Sequence, residues 1–270
     1  MTMAPTRPDA HERSWTTRHP TLTFVALTYA LSWTLWALAW AIDAPLDGPR
    51  GLAAIPFVLG GLGPPVAAWL LVRRDVEARR RWVASILQWR VPLRYYLAAL
   101  GLPILLFTVA NVVVGAAGES VEVGLLADRW PRYLATFAFT LVLGGALEEP
   151  GWRGYALPRL QQRFTPLAAT ALLGLAWGIW HVPIYGPLGF VVPFVLAFFY
   201  TWLYNRTGSV LLCILLHASF TPAQDHLLLL RDEVHGITDL AIGVAYLGGV
   251  LVLLALTRGR LGAAPSTRPS

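Results

Sequence analysis

The chain has 270 residues, of which 56% are hydrophobic and 13% charged, with 12 tryptophans and a net charge of +6. A soluble globular domain carries about twice that share of charged residues, so the composition excludes a water-soluble protein and predicts a membrane protein. The single cysteine, Cys213, excludes an intrachain disulfide or a cysteine-based zinc site.

Hydrophobic runs of about 20 residues, the length of helix that crosses a bilayer, recur along the chain. We predict an all-α polytopic membrane protein with about eight transmembrane helices around a membrane-embedded cavity. The fourth to sixth runs are short, which favours helices that begin or end inside the membrane beside a cavity. The predicted spans are 22–42, 52–72, 95–114, 133–147, 166–181, 189–204, 210–230 and 240–256.

The predicted transmembrane domain covers residues 21–257, between an N-terminal tail at 1–20 and a C-terminal tail at 258–270. Eight spans place both tails and most of the arginines on one side, and only Arg50, Arg129, Arg132 and Arg231 on the other. Because short cytoplasmic loops collect positive charge, we predict a multi-pass protein of the cell membrane with both termini in the cytoplasm.

Arginine clusters alternate with Trp82, Val83, Ile86 and Trp89 between the second and third spans. This pattern predicts a helix that lies on the surface of an anionic membrane, with lipid as its partner. The arginines directly flank membrane spans, which argues against nucleic acid as a partner.

The stretch GGALEEPGWRGYALPRLQ, residues 144–161, places adjacent carboxylates at the end of a long apolar run. Glu149 and Arg153 stand four residues apart and can pair along one helical face, which leaves Glu148 about 100° away and unpaired. Pro150 predicts a kink or break at this point. The alternative is that both glutamates only cap the helix that follows, at the cytoplasmic surface.

Two histidines lie in later spans: His181 among tryptophans, and His217 with Thr221 one turn beyond it. A lone membrane histidine commonly serves packing. Glu148, His181 and His217 together can bind and deprotonate water, a set that suits hydrolysis. Asp225 is expected in a solvated loop.

Two histidines and a glutamate are also compatible with zinc, with Glu148, His181 and His217 as the ligands, although the HExxH helix motif is missing. A metal is thus possible but not required. Without it, a glutamate can accept a proton from water while one histidine orients the water and the other stabilises the oxyanion.

The motifs EEPGWRG (148–154), WGIWHVP (177–183) and LLHASFT (215–221) resemble those of the CPBP, or Abi, intramembrane proteases. That family contains CAAX prenyl endopeptidases and bacterial bacteriocin-processing or immunity proteins. The resemblance covers residues 133–225 and implies an eight-helix fold with its site in a membrane cavity.

The family's EExxxR motif falls on Glu148, Glu149 and Arg153, and implies that the first glutamate activates water. Its FxxxH motif falls on His181, with Trp177 in place of the usual Phe. Its HxxxN motif falls on His217, with Thr221 in place of Asn or Asp. A threonine hydroxyl donates one hydrogen bond and reaches less far than an amide, so this change affects the donor to the oxyanion.

We therefore predict an intramembrane endopeptidase, similar to CAAX prenyl endopeptidases, of the glutamate or metallo type. Its substrate would be a membrane-associated protein or peptide. One alternative is a non-proteolytic immunity or scaffold protein of the same fold. Another is a proton-coupled transporter, against which the absence of inverted repeats argues.

The depths of the two histidines are in conflict in straight helices. At 1.5 Å per residue, His181 lies about 22 Å from the cytoplasmic end of its span, whereas His217 lies about 12 Å from the end of its own. A shared site requires residues 155–164 to be partly immersed, or the fifth span to tilt or begin later.

Overall fold

The computed structural model describes residues 18–43, 51–231 and 236–263, and within these residues the regular structure is entirely helical. The predicted all-α class is therefore confirmed. We number the main helices α1 (Pro20–Ile42), α2 (Ala54–Gly61), α3 (Gly63–Val72), α4 (Val76–Ile86), α5 (Leu93–Ala116), α6 (Leu125–Val142), α7 (Pro166–Tyr185), α8 (Val191–Thr207), α9 (Val210–His226) and α10 (Ile237–Thr257).

Five helices of the described chain are long and apolar enough to cross a membrane, namely α1, α5, α7, α8 with the turn before it, and α10. A sixth span results if the run containing α2 and α3, bent by 43°, is counted as one broken crossing. The other two predicted spans are helical too, but α6 carries Asp128, Arg129 and Arg132 near its start and α9 has only 17 residues. The protein is polytopic, with five or six spans by these criteria where eight were predicted.

The second predicted span is broken where small residues let helices approach closely. A Cβ on Gly63 would lie 2.0 Å from Ser32 Oγ of α1, so a larger residue would push α3 away from α1. Leu62 separates α2 from α3, and Pro64 begins the new helix. The break turns α3 toward the segment that carries the paired glutamates.

The predicted surface helix is α4. Asp75 precedes it and caps it, since the Asp75 carboxylate accepts hydrogen bonds from the amides of Glu77 and Ala78. Its Trp82 Nε1 donates to the carbonyl of Pro150 at 2.7 Å. The helix is thus joined to the glutamate segment as well as being largely exposed.

Between α6 and α7 the backbone changes helix type repeatedly, as Pro150 and the glycines around it predict. Residues 145–161, which we call the composite segment, contain a 3-10 turn (Gly145–Glu148), a short α turn (Glu149–Gly151), a π turn (Trp152–Ala156) and a last α turn (Leu157–Gln161). Residues 148–157 are all buried. Gly151 permits this, since a Cβ there would lie 2.5 Å from the backbone of Pro64 in α3.

Helices α7 and α9 have clear start signals in the sequence. Thr165 caps α7 through the amide of Ala168, with Pro166 in the first turn, and Ser209 caps α9 through the amide of Leu212. Pro183 lies inside the last turn of α7, which continues to Tyr185. The helix therefore runs four residues past the predicted end of its span.

The predicted tails lie mostly outside the described residues, which leave out 1–17 and 264–270. The chain just after α10 is folded: Leu261 is fully buried, and its carbonyl accepts a hydrogen bond from Asn205 Nδ2 of α8 at 2.9 Å. Leu261 thus anchors this part of the chain to the helices, while Arg258 and Arg260 are exposed.

Candidate active site

Three elements bring Glu148, His181 and His217 together around the indole of Trp177. Glu148 lies in the composite segment, His181 on α7 and His217 on α9. The indole stands 5.5 Å from the His181 ring and 5.8 Å from the His217 ring, centroid to centroid, and its Nε1 bonds Glu148. The residues predicted from the sequence thus face one place.

The three groups meet although straight helices place the two histidines at different depths. Of residues 155–164, for which partial immersion was one explanation, 155–157 and Leu160 are buried within the protein and 162–164 are exposed. Their depth in the membrane stays a prediction.

Glu148 is nearly buried, with 5% of its surface exposed. Its Oε2 accepts a hydrogen bond from Trp177 Nε1 at 2.7 Å and lies 4.0 Å from His181 Nε2. That last distance is too long for a hydrogen bond but allows one water molecule to touch both groups. The carboxylate is held on one side and remains available on the other.

Glu149 forms the predicted pair with Arg153, its Oε1 lying 3.0 Å from Arg153 Nη1. The same oxygen lies 2.8 Å from His217 Nδ1. Both Glu149 and Arg153 are fully buried. This glutamate therefore neutralises the arginine and orients the histidine, so the simple capping alternative does not describe it.

Arg153 lies between two aromatic faces as well as beside its carboxylate. Its guanidinium carbon is 4.0 Å from the ring centre of Trp177 and 4.3 Å from that of Tyr200. Cation–π contacts of this kind stabilise a buried guanidinium. They also fix the indole that bonds Glu148.

The partners of the two histidines determine which ring nitrogen carries the proton. His181 Nδ1 lies 2.8 Å from the carbonyl of Trp177, one turn earlier on α7, and His217 Nδ1 faces the Glu149 carboxylate. Both partners only accept hydrogen bonds, so each Nδ1 carries the proton and each Nε2 is left for the cavity.

Two connected cavities of about 390 Å3 each meet at these histidines. Both are lined by His181, Tyr185, His217, Thr221 and Asp225. One reaches Glu148 and extends between α1, α2 and α6, and the other is bounded by α8. The expected cavity is present, and its walls are largely apolar, as in sites for small molecules and peptides.

Gly145 lets the two catalytic candidates lie close to the backbone of the composite segment. A Cβ on this residue would lie 2.7 Å from His217 Nε2 and 3.0 Å from Glu148 Oε1. A carbon atom at these distances overlaps both groups, so a larger residue here would displace one or both of them.

Thr221 lines both cavities, but its hydroxyl lies 3.5 Å from the carbonyl of His217 on its own helix. A hydroxyl pointing along its helix is not aimed at an oxyanion. The expected supporting residue is therefore present in the cavity wall, in a weak contact.

Sequence reasoning missed three residues that shape the site: Gly145, Tyr185 and Tyr200. Tyr185 stacks on His181 at 5.7 Å, and Tyr200 covers Arg153 and His217. The hydroxyl of Tyr200 is buried without a hydrogen-bond partner among the described residues. A tyrosine within the apolar run of α8 was the available signal. Asp225, expected in a loop, lies on α9 and lines both cavities.

The predicted zinc set was tested against this geometry. Across residues 18–43, 51–231 and 236–263, no three His, Cys, Asp or Glu side chains are close enough together to hold one metal ion. One oxygen of Glu148 is already bonded to Trp177. The histidine nitrogens suit a metal chemically, but the three side chains do not form a preorganised metal site.

The motif region matches a family of known proteins. Residues 129–221 match the family model for the type II CAAX prenyl endopeptidase Rce1-like domain. The chain is also 30% identical, over 135 residues, to CAAX prenyl protease 2 of Methanococcus maripaludis. Over this region the chain is therefore similar to CAAX-type intramembrane proteases, in agreement with the resemblance of its motifs.

The CPBP match begins inside α6 and ends at Thr221, so it contains the composite segment and both histidines. The alignment with the archaeal protease covers 43% of this chain and 48% of the relative. The chain thus aligns with about half the length of that relative. The apolar helices of the chain make it a multi-pass membrane protein.

Proposed function

We propose that this protein is an intramembrane endopeptidase that hydrolyses a peptide bond with water activated by Glu148. The observation that carries the proposal is the convergence of the Glu148 carboxylate and two histidine Nε2 atoms on one cavity. Trp177 Nε1 donates a hydrogen bond to Glu148 Oε2. The Nδ1 atoms of the two histidines lie within hydrogen-bond distance of the Trp177 carbonyl and the Glu149 carboxylate.

The first step is attack by water. A water molecule between Glu148 and His181 gives one proton to the carboxylate, while His181 Nε2 accepts a hydrogen bond from its other hydrogen. The water oxygen bonds to the carbonyl carbon of the peptide. The carbonyl oxygen takes the negative charge, and Glu148 later returns the proton to the amide nitrogen as the C–N bond breaks.

His217 then stabilises the oxyanion. To donate a hydrogen bond through Nε2 it must be protonated, and Glu149 beside its Nδ1 stabilises that cation. Charge balance favours this state, since Glu148, Glu149, Arg153 and a protonated His217 sum to zero.

The substrate class follows from the position of the site. Its cavities lie within a helix bundle whose outer surface is apolar, so we propose a membrane-associated protein or peptide as substrate. The archaeal relative is called a CAAX prenyl protease, which makes CAAX-type peptides the first substrates to test. The cell membrane, with the arginine-rich side in the cytoplasm, is the proposed location.

Hydrolysis is tested with purified protein in liposomes supplied with prenylated and unprenylated CAAX peptides and with host membrane proteins. In water enriched in oxygen-18, each new C-terminal carboxylate should carry the label, detectable by mass spectrometry. Glu148→Gln should lower the rate by about a hundredfold or more, because the glutamine cannot accept the proton.

Glu77→Gln is the matched control, since Glu77 lies on exposed α4 and pairs only with Arg81 among the described residues. It should cleave like the wild type. Equal cleavage by wild type and Glu148→Gln, with unchanged thermal unfolding, would refute the proposal.

The non-proteolytic alternative has one observation in its favour, the contact of Thr221 with its own helix. If this chain is an immunity or scaffold protein, Glu148→Gln and His181→Ala will leave the cellular phenotype intact. Loss of the phenotype in both variants, with normal protein levels, would support the protease.

A further inference from the structure

A cleft of about 560 Å3 shares no lining residue with the cavities of the candidate active site. It lies where α5 begins and where α8 and α10 end. Three arginines from three different chain segments line it: Arg94 of α5, Arg206 of α8 and Arg260 just after α10. Among the residues that the structure describes, no acidic one lines the cleft.

These arginines have no carboxylate partner among the described residues. Other arginines of the described chain do, as Arg81 pairs with Glu77 and Arg153 with Glu149. In the cleft two of the arginines contact an uncharged group, the hydroxyl of Tyr95. Arg206 Nε donates to Tyr95 Oη at 3.3 Å, and Arg94 Nη2 lies 3.5 Å from the same oxygen. Like charges held together without an anion repel one another.

The backbone after α10 is bent so that Arg260 reaches this place. Arg258 and Leu261 have φ of 51° and 46°, a conformation that residues other than glycine adopt at a cost. Burial of Leu261 and its hydrogen bond from Asn205 hold the turn. Gly262 then packs against Arg206, where a Cβ would lie 2.6 Å from the arginine Cδ. The turn thus holds Arg206 and Arg260 on one cleft.

We propose that this cleft binds a phosphate group, with the guanidinium groups of Arg94, Arg206 and Arg260 as its ligands. Guanidinium pairs with phosphate oxygens through two parallel hydrogen bonds, and a bound anion removes the repulsion among the three cations. The aromatic floor of Tyr95 and Trp202 keeps the groups apart from the bundle core.

An anionic lipid headgroup is the source that the surroundings favour. Arg94 and Arg206 lie at the ends of two candidate membrane spans, and Arg260 follows a third by three residues. Leu256, also in the cleft wall, is 80% exposed, so an acyl chain can lie beside it. The cleft therefore sits where lipid phosphates meet the hydrocarbon.

The test measures thermal unfolding of the full protein in uncharged maltoside micelles during titration with phosphatidylglycerol, phosphatidylcholine or inorganic phosphate. The wild type should be stabilised by phosphatidylglycerol. The double variant Arg206→Gln/Arg260→Gln should need about a hundredfold more lipid for the same shift, since two charge-assisted contacts are lost.

The control is Arg258→Gln, which removes the same charge from the same turn outside the cleft. Loss of surface charge alone weakens anionic lipid binding by about fivefold per residue. The single variant Arg260→Gln guards against misfolding of the double variant, because the described chain gives that side chain no hydrogen bond or ion pair.

A shift with inorganic phosphate at matched concentration, lost in the double variant, would support the same site with free phosphate as the ligand. The proposal would be overturned if neither phosphatidylglycerol nor inorganic phosphate shifted the unfolding temperature of the wild type. It would also be overturned if Arg258→Gln and Arg260→Gln weakened lipid binding equally.

Discussion

His217 Nδ1 lies 2.8 Å from Oε1 of Glu149, the same carboxylate oxygen that lies 3.0 Å from Arg153. This contact links α9 to the composite segment across 68 residues of chain. It fixes the ring so that Nε2 faces the cavity. Glu149 is therefore a positioning residue, and Glu148 is left as the carboxylate that can act on water.

Breaking this buried network should destabilise the protein strongly. Arg153→Met leaves the fully buried Glu149 carboxylate with only the histidine as partner, at an expected cost of about 3–5 kcal/mol. Thermal or denaturant unfolding in detergent measures the change. Arg81→Met removes a pair of the same four-residue spacing that is more than half exposed, and should cost at most about 1 kcal/mol. Equal effects would show that burial does not govern the pair.

Glu149→Gln should lower activity more than substrate binding. The amide can still accept a hydrogen bond from His217 but lacks the negative charge of the carboxylate, so kcat should fall about 10- to 100-fold with KM little changed. The readout is kcat and KM determined separately on the same peptide, with thermal unfolding measured in parallel. A rise in KM that matches the fall in kcat, or a lower unfolding temperature, would indicate a structural role only.

Gly145→Ala should inactivate the enzyme without unfolding it. The added methyl would lie 2.7 Å from His217 Nε2 and 3.0 Å from Glu148 Oε1, closer than van der Waals contact, so these side chains would have to shift. We expect the rate to fall by about a hundredfold, the loss typical of a misplaced reacting group. Gly101→Ala on α5, where an added Cβ meets nothing within 4 Å, is the control and should retain full activity. Full activity of Gly145→Ala would mean that the reaction does not depend on the positions of His217 and Glu148 beside this residue.

Thr221→Asn should raise activity. The longer amide can reach the cavity, whereas the threonine hydroxyl stays 3.5 Å from the carbonyl of His217. A new donor to the oxyanion can contribute about tenfold or more to kcat. Steady-state kinetics on the same peptide measures this. A decrease would show that the space beside His217 suits threonine, and that the donor lies elsewhere.

Metal removal distinguishes the glutamate mechanism from a zinc mechanism. Because the three candidate ligands are not close enough together to hold an ion, we expect dialysis against a chelator to leave hydrolysis unchanged. Metal content of the active protein is measured in parallel by elemental analysis. Loss of activity on chelation, restored by zinc at stoichiometric amounts, would require the groups to move together on a metal.

Local sequence patterns were sufficient for much of the site. The four-residue spacing of Glu149 and Arg153 predicted their pair, and Pro150 predicted the change of helix type. These are interactions within one or two turns, where backbone geometry fixes which side chains meet. Gly145 and Tyr200 escaped the same reasoning because their neighbours belong to other segments of the chain.

Helix boundaries were less well predicted where helices approach one another. The fourth predicted span, 133–147, instead begins at Leu125 and ends at Val142, and the second is broken at Leu62. Apolar character alone cannot distinguish a residue that contacts lipid from one that contacts another helix. The close approaches at Gly63 and Gly151 determine these bends.

The sequence by itself determined the membrane environment, the helical class and the candidate catalytic residues. The first two depend on composition and hydrophobic pattern, and the third on polar residues within apolar runs and on their motifs, all of which the chain carries without its fold. The tertiary structure alone decided that Glu149 would hold His217, and that three arginines would line one cleft. Such contacts join residues far apart in the chain, and only the packing of helices against one another sets their distances.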